Sequence, residues 1–396
     1  MKTPLRPCPV CENNLADVLD SQRFILPENH PLRDGYDVVC CARCGFAYAD
    51  TAVTQADYDH FYARHSKYSD AKTSTGSGLS RLDAVRLRET ADQIVRFADH
   101  RDLRIADIGC ANGGLLAELR TLGYSHLCGV DPSEACVANT RLIPGVDAFV
   151  GGLSALPVSA GKFDAIILSH VLEHVRDLRP VLRGLHGFLR PGGWLYVETP
   201  DAARYAEFVP APFQDFNTEH INHFSPASMD NLLRQGGFEP VETGTKTIFS
   251  APDMPYPALF VFAKVSAVPP VLHPDPTLRE RLVEYIRISR EGLARMNARL
   301  AATLRGHEKI AVWGTGQLTL KLLAGTALSG VKITQFLDRN PVNHGHCLRG
   351  VPVVSPDEFT DRAIPILVAS TINASAIIED IRRMNFPNPL LTLSTD

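Results

Sequence analysis

The sequence predicts an α/β chain in three parts: a cysteine-rich N-terminal metal module, a central doubly wound parallel sheet, and a C-terminal Rossmann-like α/β domain. Three observations predict it. Two C-x-x-C pairs lie before residue 45. From Arg104 to Glu198 short apolar runs alternate with helical periods, the pattern of a parallel sheet covered on both faces. A second strand–turn–helix begins at Lys309. Breaks in pattern place the parts at 1–75, 76–265 and 307–396, with a linker and long helix over 266–306.

In the first part, Cys8-Pro-Val-Cys11 and Cys41-Ala-Arg-Cys44 are two knuckles. Each offers two thiolates on one tight turn, and two knuckles complete a tetrahedral sulfur shell suited to structural Zn²⁺. A disulfide pair and redox chemistry are the alternatives, and Cys40 could stand in for Cys41 only by losing the spacing. Cys110, Cys128, Cys136 and Cys347 read as small core residues.

The central part opens with a helical period from Arg81 to Ala98. Strands are expected at Arg104–Ile108, His126–Val130, Asp147–Val150, Asp164–Leu168 and Gly193–Glu198. After the first comes a glycine turn, Gly109-Cys-Ala-Asn-Gly-Gly114, and then a helix. Such a turn lets backbone approach a ligand, and the helix start presents unpaired N–H groups. The second strand ends in Asp131, about twenty residues on, where a carboxylate can grip a ribose diol. A helix opened by Ser225-Pro226 follows a polar loop, Pro212–Ser225. The Pro-rich stretch Val265–Pro274 breaks the pattern, and Thr277 to Leu304 reads as one amphipathic helix.

The 40 basic and 44 acidic residues nearly balance, which gives no electrostatic case for nucleic acid or an anionic membrane. The N-terminal residues hold no apolar core of signal-peptide length, and no apolar run is long enough to span a bilayer. A cytoplasmic monomer or homodimer acting on a small molecule is expected.

Asp107 and Gly109, Asp131, the run Phe163–His174 and the run Leu189–Val197 together resemble the motifs of class I S-adenosylmethionine-dependent methyltransferases. The resemblance implies cofactor binding by Asp107, Gly109, Gly113, Asp131, Leu153, Ser169 and His170, with the glycine turn carrying the methionine part. Two positions depart: Ala111 replaces the usual middle glycine, and Gly151-Gly-Leu-Ser154 stands where an acidic residue near adenine is common. His170-Val-Leu-Glu-His174 also has a zinc-peptidase spacing, H-x-x-E-H, which needs one helix carrying both histidines. Its position after a buried strand argues instead that His170 lines the cofactor and Glu173–His174 start a helix.

Over nearly its whole length the chain resembles the zinc-containing sugar-nucleotide C-methyltransferases. That resemblance implies His220 as general base beside Glu219, removing a proton next to a keto group so that the carbanion takes the methyl. Imidazole has the basicity for such work near neutral pH. A hydrogen-bonded structural role for His220 is the alternative. Here Asn217-Thr218 replaces the family's Tyr-His, and a second histidine, His223, follows, so an oxygen or nitrogen acceptor stays open. Tyr68, Asn217, Asn222 and His223 are the expected substrate contacts; the strip Tyr58…Tyr62…Tyr68 could equally be packing. A zinc-stapled binding protein without catalysis is the reading from another class. At the C-terminus, Gly314-Thr-Gly-Gln-Leu-Thr319 imitates a dinucleotide fingerprint but lacks its third glycine, so NAD is not expected.

Overall fold

A computed structural model describes the chain apart from residues 29, 66, 73–74, 99, 154–155, 157–160, 252–253 and 394–396. Ser154, of the run Gly151–Ser154, lies outside the described residues, as does Ser66 beside Tyr68. Three sheets organise it. No helix among the described residues is long and apolar enough to cross a membrane.

The central sheet has seven strands in the spatial order Phe238–Ala251, Met254–Val265, Leu189–Pro200, Phe163–Ser169, Arg104–Ile108, His126–Asp131, Val146–Val150. The last five are parallel and the first two form an antiparallel hairpin on one edge. Arg104–Ile108 sits between strands reached by opposite windings, with Asp107 paired to Gly129 on one side and Ile167 on the other. The carboxyl ends at this switch point are where doubly wound sheets bind ligands. Helix Arg81–Phe97 covers one face; Ser80 caps it by accepting from the Asp83 N–H, and its Leu87, Ala91 and Ile94 are buried. The five expected strands and this helix are all present, within a few residues at their ends.

The N-terminal sheet is antiparallel, in the order Ala16–Arg23, Gly35–Cys41, Ala47–Asp50, Asn222–His223. Its fourth strand comes from the polar loop of the central domain: Ala47 pairs with His223 and Tyr48 with Asn222. Arg6, fully buried, stitches the same seam by donating to the carbonyls of Ala49, Arg176 and Ile221. The C-terminal sheet has six strands in the order Cys347–Leu348, Val351–Val354, Lys332–Leu337, Lys309–Trp313, Ile366–Val368, Leu390–Thr392, parallel except at the first.

Helix Leu278–Thr303 does more than span a gap. It buries Leu278, Leu282, Tyr285 and Ile286 in one core with Phe24 and Tyr36 of the N-terminal module, Phe213, Phe216 and Ile221 of the loop, and Ile310 and Phe336 of the C-terminal sheet. Each such side chain contributes about 1.5–3 kcal/mol when fully buried. The expected long helix is therefore present, and the apolar core runs straight across it.

Candidate active site

The glycine turn is shaped by backbone that only glycine tolerates well. Gly109 has φ +80°, and a Cβ there would lie 2.6 Å from Val171 Cγ2. Gly113, the N-cap of helix Gly114–Thr121, has φ +76°, and its Cβ would meet Ile143 at 2.7 Å. Between them Ala111 takes φ +46°, so the position that lacks the usual glycine is left-handed all the same. The Ala111 N–H donates to Asp131 Oδ2 at 2.9 Å, and the Ser133 N–H donates to Oδ1 at 2.9 Å. Loop 76–78 folds over the turn: Asp83 accepts from the N–H groups of Gly76 and Gly78, both at 2.8 Å.

These elements open onto a cavity of about 1270 Å³. Asp107, Gly109, Asp131, Leu153, Ser169, His170, Tyr68 and His220 line it, as do Tyr62, Glu173, His174, Tyr256 and Asn373. Burial first, and then the charge of Asp131, push Asp107 up to about 7. Burial likewise raises Asp131, against the two backbone donors. The tyrosine strip divides: Tyr58 is core, whereas Tyr62 and Tyr68 reach the cavity wall.

One wall carries a chain of imidazoles and carboxylates. His170, with φ +56°, sits between Glu173 Oε1 at 3.2 Å and Glu198 Oε1 at 3.1 Å. Burial opposes charge on this ring, but the two carboxylates outweigh it and raise its pKa. Glu198 is fully buried and also meets Lys246 Nζ at 2.6 Å; despite burial, Lys246 and His170 hold it well below the ordinary carboxylate range. The His174 Nδ1 lies 3.0 Å from the Glu219 carbonyl and 3.2 Å from the Tyr62 hydroxyl. His220 meets His174 edge to face, ring centres 4.9 Å apart. H-x-x-E-H therefore forms no two-histidine helical site: Leu172–His174 is a single 3-10 turn, and Glu198 and Glu173 hold His170.

Several expected substrate contacts are corrected. Asn217 turns its side chain inward, where Oδ1 accepts from the N–H groups of Glu219 at 2.9 Å and His220 at 2.8 Å. Asn222 is 1% exposed and donates to the carbonyls of Leu172 and Val175. His223 is fully buried against Phe216 and Tyr205, its nitrogens without hydrogen-bond partners among the described residues. Burial, then Arg6, lowers its pKa to about 3, so it is neutral. None of these three lines the cavity. Each is drawn off by the sheet seam or by the loop's own turn, which sequence spacing does not reveal. Gly113 packs against Thr140 and Ile143 rather than the cavity, and Glu219 offers the site its carbonyl through His174.

In the N-terminal module the Sγ atoms of Cys8, Cys11, Cys41 and Cys44 all lie within 4.8 Å of one another. Cys8 stands 3.6 Å from Cys44 and Cys11 3.5 Å from Cys41. A tetrahedral zinc–thiolate shell sets sulfurs about 3.8 Å apart, whereas a disulfide needs about 2.05 Å. Cys40 points elsewhere, to the Gly45 carbonyl at 3.3 Å.

The second glycine turn is closed on itself. Thr315 N–H and Oγ1 both donate to Asp338, and Thr319 Oγ1 donates to the Gly314 carbonyl at 2.7 Å. Gln317 reaches away to the polar loop, accepting from the Thr218 N–H at 3.1 Å and donating to Thr218 Oγ1 at 2.7 Å.

A family model described as a methyltransferase domain matches residues 82–243. Similar proteins include ubiquinone biosynthesis O-methyltransferases of Marinobacter nauticus (30% identical over 203 residues) and Bordetella avium (29% over 204). The alignments cover 47% and 48% of this chain and 83% and 82% of those relatives. Among solved structures, a 1,6-didemethyltoxoflavin-N1-methyltransferase of Burkholderia thailandensis aligns with TM-score 0.40 and 18% identity, over 57% of this chain and 96% of that one.

Proposed function

This chain belongs to the class I S-adenosylmethionine-dependent methyltransferases, and we propose that it C-methylates a nucleotide-activated keto sugar with His220 as general base. The observation that carries the base assignment is a shared wall: His220 lines the same cavity as the glycine turn, Asp107 and Asp131. The keto-sugar acceptor rests on the resemblance of the whole chain to sugar-nucleotide C-methyltransferases.

Asp107, Gly109, Asp131, Leu153, Ser169 and His170 would hold the cofactor, which when bound supplies a methyl already activated on a sulfonium. What remains for the protein is to raise an electron pair on the acceptor. His220 takes the proton from the carbon beside the keto group, leaving an enolate whose carbon receives the methyl. His174 stands against His220 and is itself held by the Glu219 carbonyl, so the two rings keep a fixed mutual angle. Asn217 fixes the backbone at Glu219 and His220, removing freedom from the base before acceptor arrives. Tyr62 and Tyr68 line the same cavity and would contact the acceptor. Cys8, Cys11, Cys41 and Cys44 would hold a structural zinc that staples the sheet to which the base loop is paired.

A second reading, O-methylation of a hydroxyl, is favoured by the likeness to ubiquinone biosynthesis O-methyltransferases. Methyl-labelled cofactor with a panel of sugar nucleotides and phenols, followed by NMR location of the label, separates the two. His220→Ala is expected to lose turnover by at least about a hundredfold while keeping S-adenosylhomocysteine affinity. Unchanged turnover removes His220 from the base role. Elemental analysis should find one zinc per chain; a folded, metal-free chain with free thiols ends the zinc proposal.

A further inference from the structure

We propose that Glu173, His174 and His220 form a second metal site, one that takes a divalent cation on the acceptor side of the cavity. It rests on the reading that this wall faces the acceptor, and it deepens the O-methylation branch of that reading.

The three groups come from two segments. Glu173 and His174 lie on the turn Leu172–His174 after the fourth parallel strand, and His220 lies on the loop paired to the N-terminal sheet. Their ligand atoms all fall within 4.8 Å of one another. All three also line the cavity, so a cation held there has open positions toward a bound small molecule.

Each group is set up for ligation by what holds it from behind. Glu173 is 1% exposed; its Oε1 faces His170, while its Oε2 is buried with no hydrogen-bond partner among the described residues. A buried carboxylate oxygen without a donor needs an explanation, and a cation is one. The His174 Nδ1 lies 3.0 Å from the Glu219 carbonyl. A carbonyl can only accept, so Nδ1 carries the hydrogen and Nε2 keeps its lone pair, 4.0 Å from Glu173 Oε1. Ligating histidines are oriented in this way, the distal N–H donated to a carbonyl or carboxylate. Asn217 fixes the His220 backbone through its N–H. Two imidazoles and one carboxylate suit Mn²⁺, Fe²⁺, Co²⁺ or Zn²⁺, whereas the four thiolates of the N-terminal module select a soft ion.

The acceptor class follows from the open positions: a small molecule with two adjacent oxygens, such as a vicinal diol, an enediol or a catechol. A bound cation lowers the pKa of an oxygen it touches. The acceptor O–H bond breaks with its proton passing to water, an O–CH₃ bond forms, and the sulfonium S–CH₃ bond breaks to leave a thioether. No oxidant or reductant enters. In this form His220 is a ligand; its role as base belongs to the cation-free protein.

The test is titration of the full zinc-loaded chain with Co²⁺ in the presence of S-adenosylhomocysteine, followed by calorimetry and visible absorption. One equivalent should bind with d–d bands and no thiolate-to-metal charge transfer, and the zinc content should not change. Glu173→Gln and His174→Ala should each weaken that binding by at least about tenfold. Retained S-adenosylhomocysteine affinity shows that a variant is folded; where one variant fails this, the other decides. No Co²⁺ uptake by the wild-type chain overturns the proposal, as does equal uptake by wild type and folded variants. Labelled-methyl transfer keeps the outcomes distinct. Transfer without Co²⁺ binding leaves the methyltransferase reading standing and removes the cation site. Co²⁺ binding without transfer to any acceptor tried removes the acceptor assignment and leaves the cation site.

Discussion

The two glycine turns of this chain share a sequence signature and have opposite fates. At Gly109–Ala111 the left-handed backbone opens onto the large cavity, with Asp107 and Asp131 on its wall. At Gly314–Gly316 the neighbouring hydroxyls turn inward: Thr315 donates to Asp338, and Thr319 to the carbonyl of Gly314. A threonine where the fingerprint has its third glycine does more than fail to help. Its hydroxyl fills the turn, and the helix that follows turns Gln317 toward Thr218 instead of toward a phosphate. A glycine pattern thus predicts a bend in the chain; whether the bend is a binding site depends on what the fold opens in front of it, as the cavity at Gly109–Ala111 does.

The largest expected contrast breaks the comparison directly. Asp131→Ala should weaken S-adenosylhomocysteine binding by about a hundredfold, the loss of charge-assisted hydrogen bonds of roughly 2–3 kcal/mol. Asp338→Ala should leave that affinity within about twofold, by the same calorimetry. Equal losses at both positions would mean that the second turn also serves the cofactor. Next in size, Gln317→Ala should lower kcat by about tenfold through a loosened base loop. KM for cofactor should not move, and a parallel rise in it would argue for general unfolding instead.

A pH series sharpens the first turn. Asp107 is held neutral up to about 7 in the free protein. An incoming ammonium favours its ionised form, so binding below that pH must expel a proton. Affinity is therefore full above pH 7 and should fall by about tenfold per unit below it, with proton release measurable in two calorimetry buffers. Asp107→Asn should flatten the profile. The smallest effect is at Ala111, whose φ of +46° suits glycine. Ala111→Gly should raise stability by up to about 1 kcal/mol in thermal unfolding, with binding unchanged.

Much of the central sheet was legible because parallel strands are short apolar runs, and Arg104–Ile108 or Phe163–Ser169 announce themselves by composition alone. The knuckles were legible because ligand spacing is local. What was hidden was non-local or irregular. Asn222 and His223 look like polar site residues until Ala47 and Tyr48, about 175 positions earlier, claim them as strand partners. The hairpin Phe238–Ala251 and Met254–Val265 mixes charge and proline into its strands, so its edge position and the cavity-facing Tyr256 left no periodic trace. His174 was passed over because a single 3-10 turn has no period to detect, yet that turn is what aims it at His220.

The two-residue strand Asn222–His223 has a consequence for assembly. Its partner strand lies near the start of the chain, so closing that pair is a long-range event with a large entropic cost before any reward. During synthesis the thiol-bearing module is made before the central domain and must wait for about 175 further residues before its sheet is complete. The register of His220, the proposed base, is then set late, by docking, after the central sheet can already have formed. A truncated central domain grafted into another scaffold would inherit a pocket for the methyl donor while leaving behind the part that aims the chemistry.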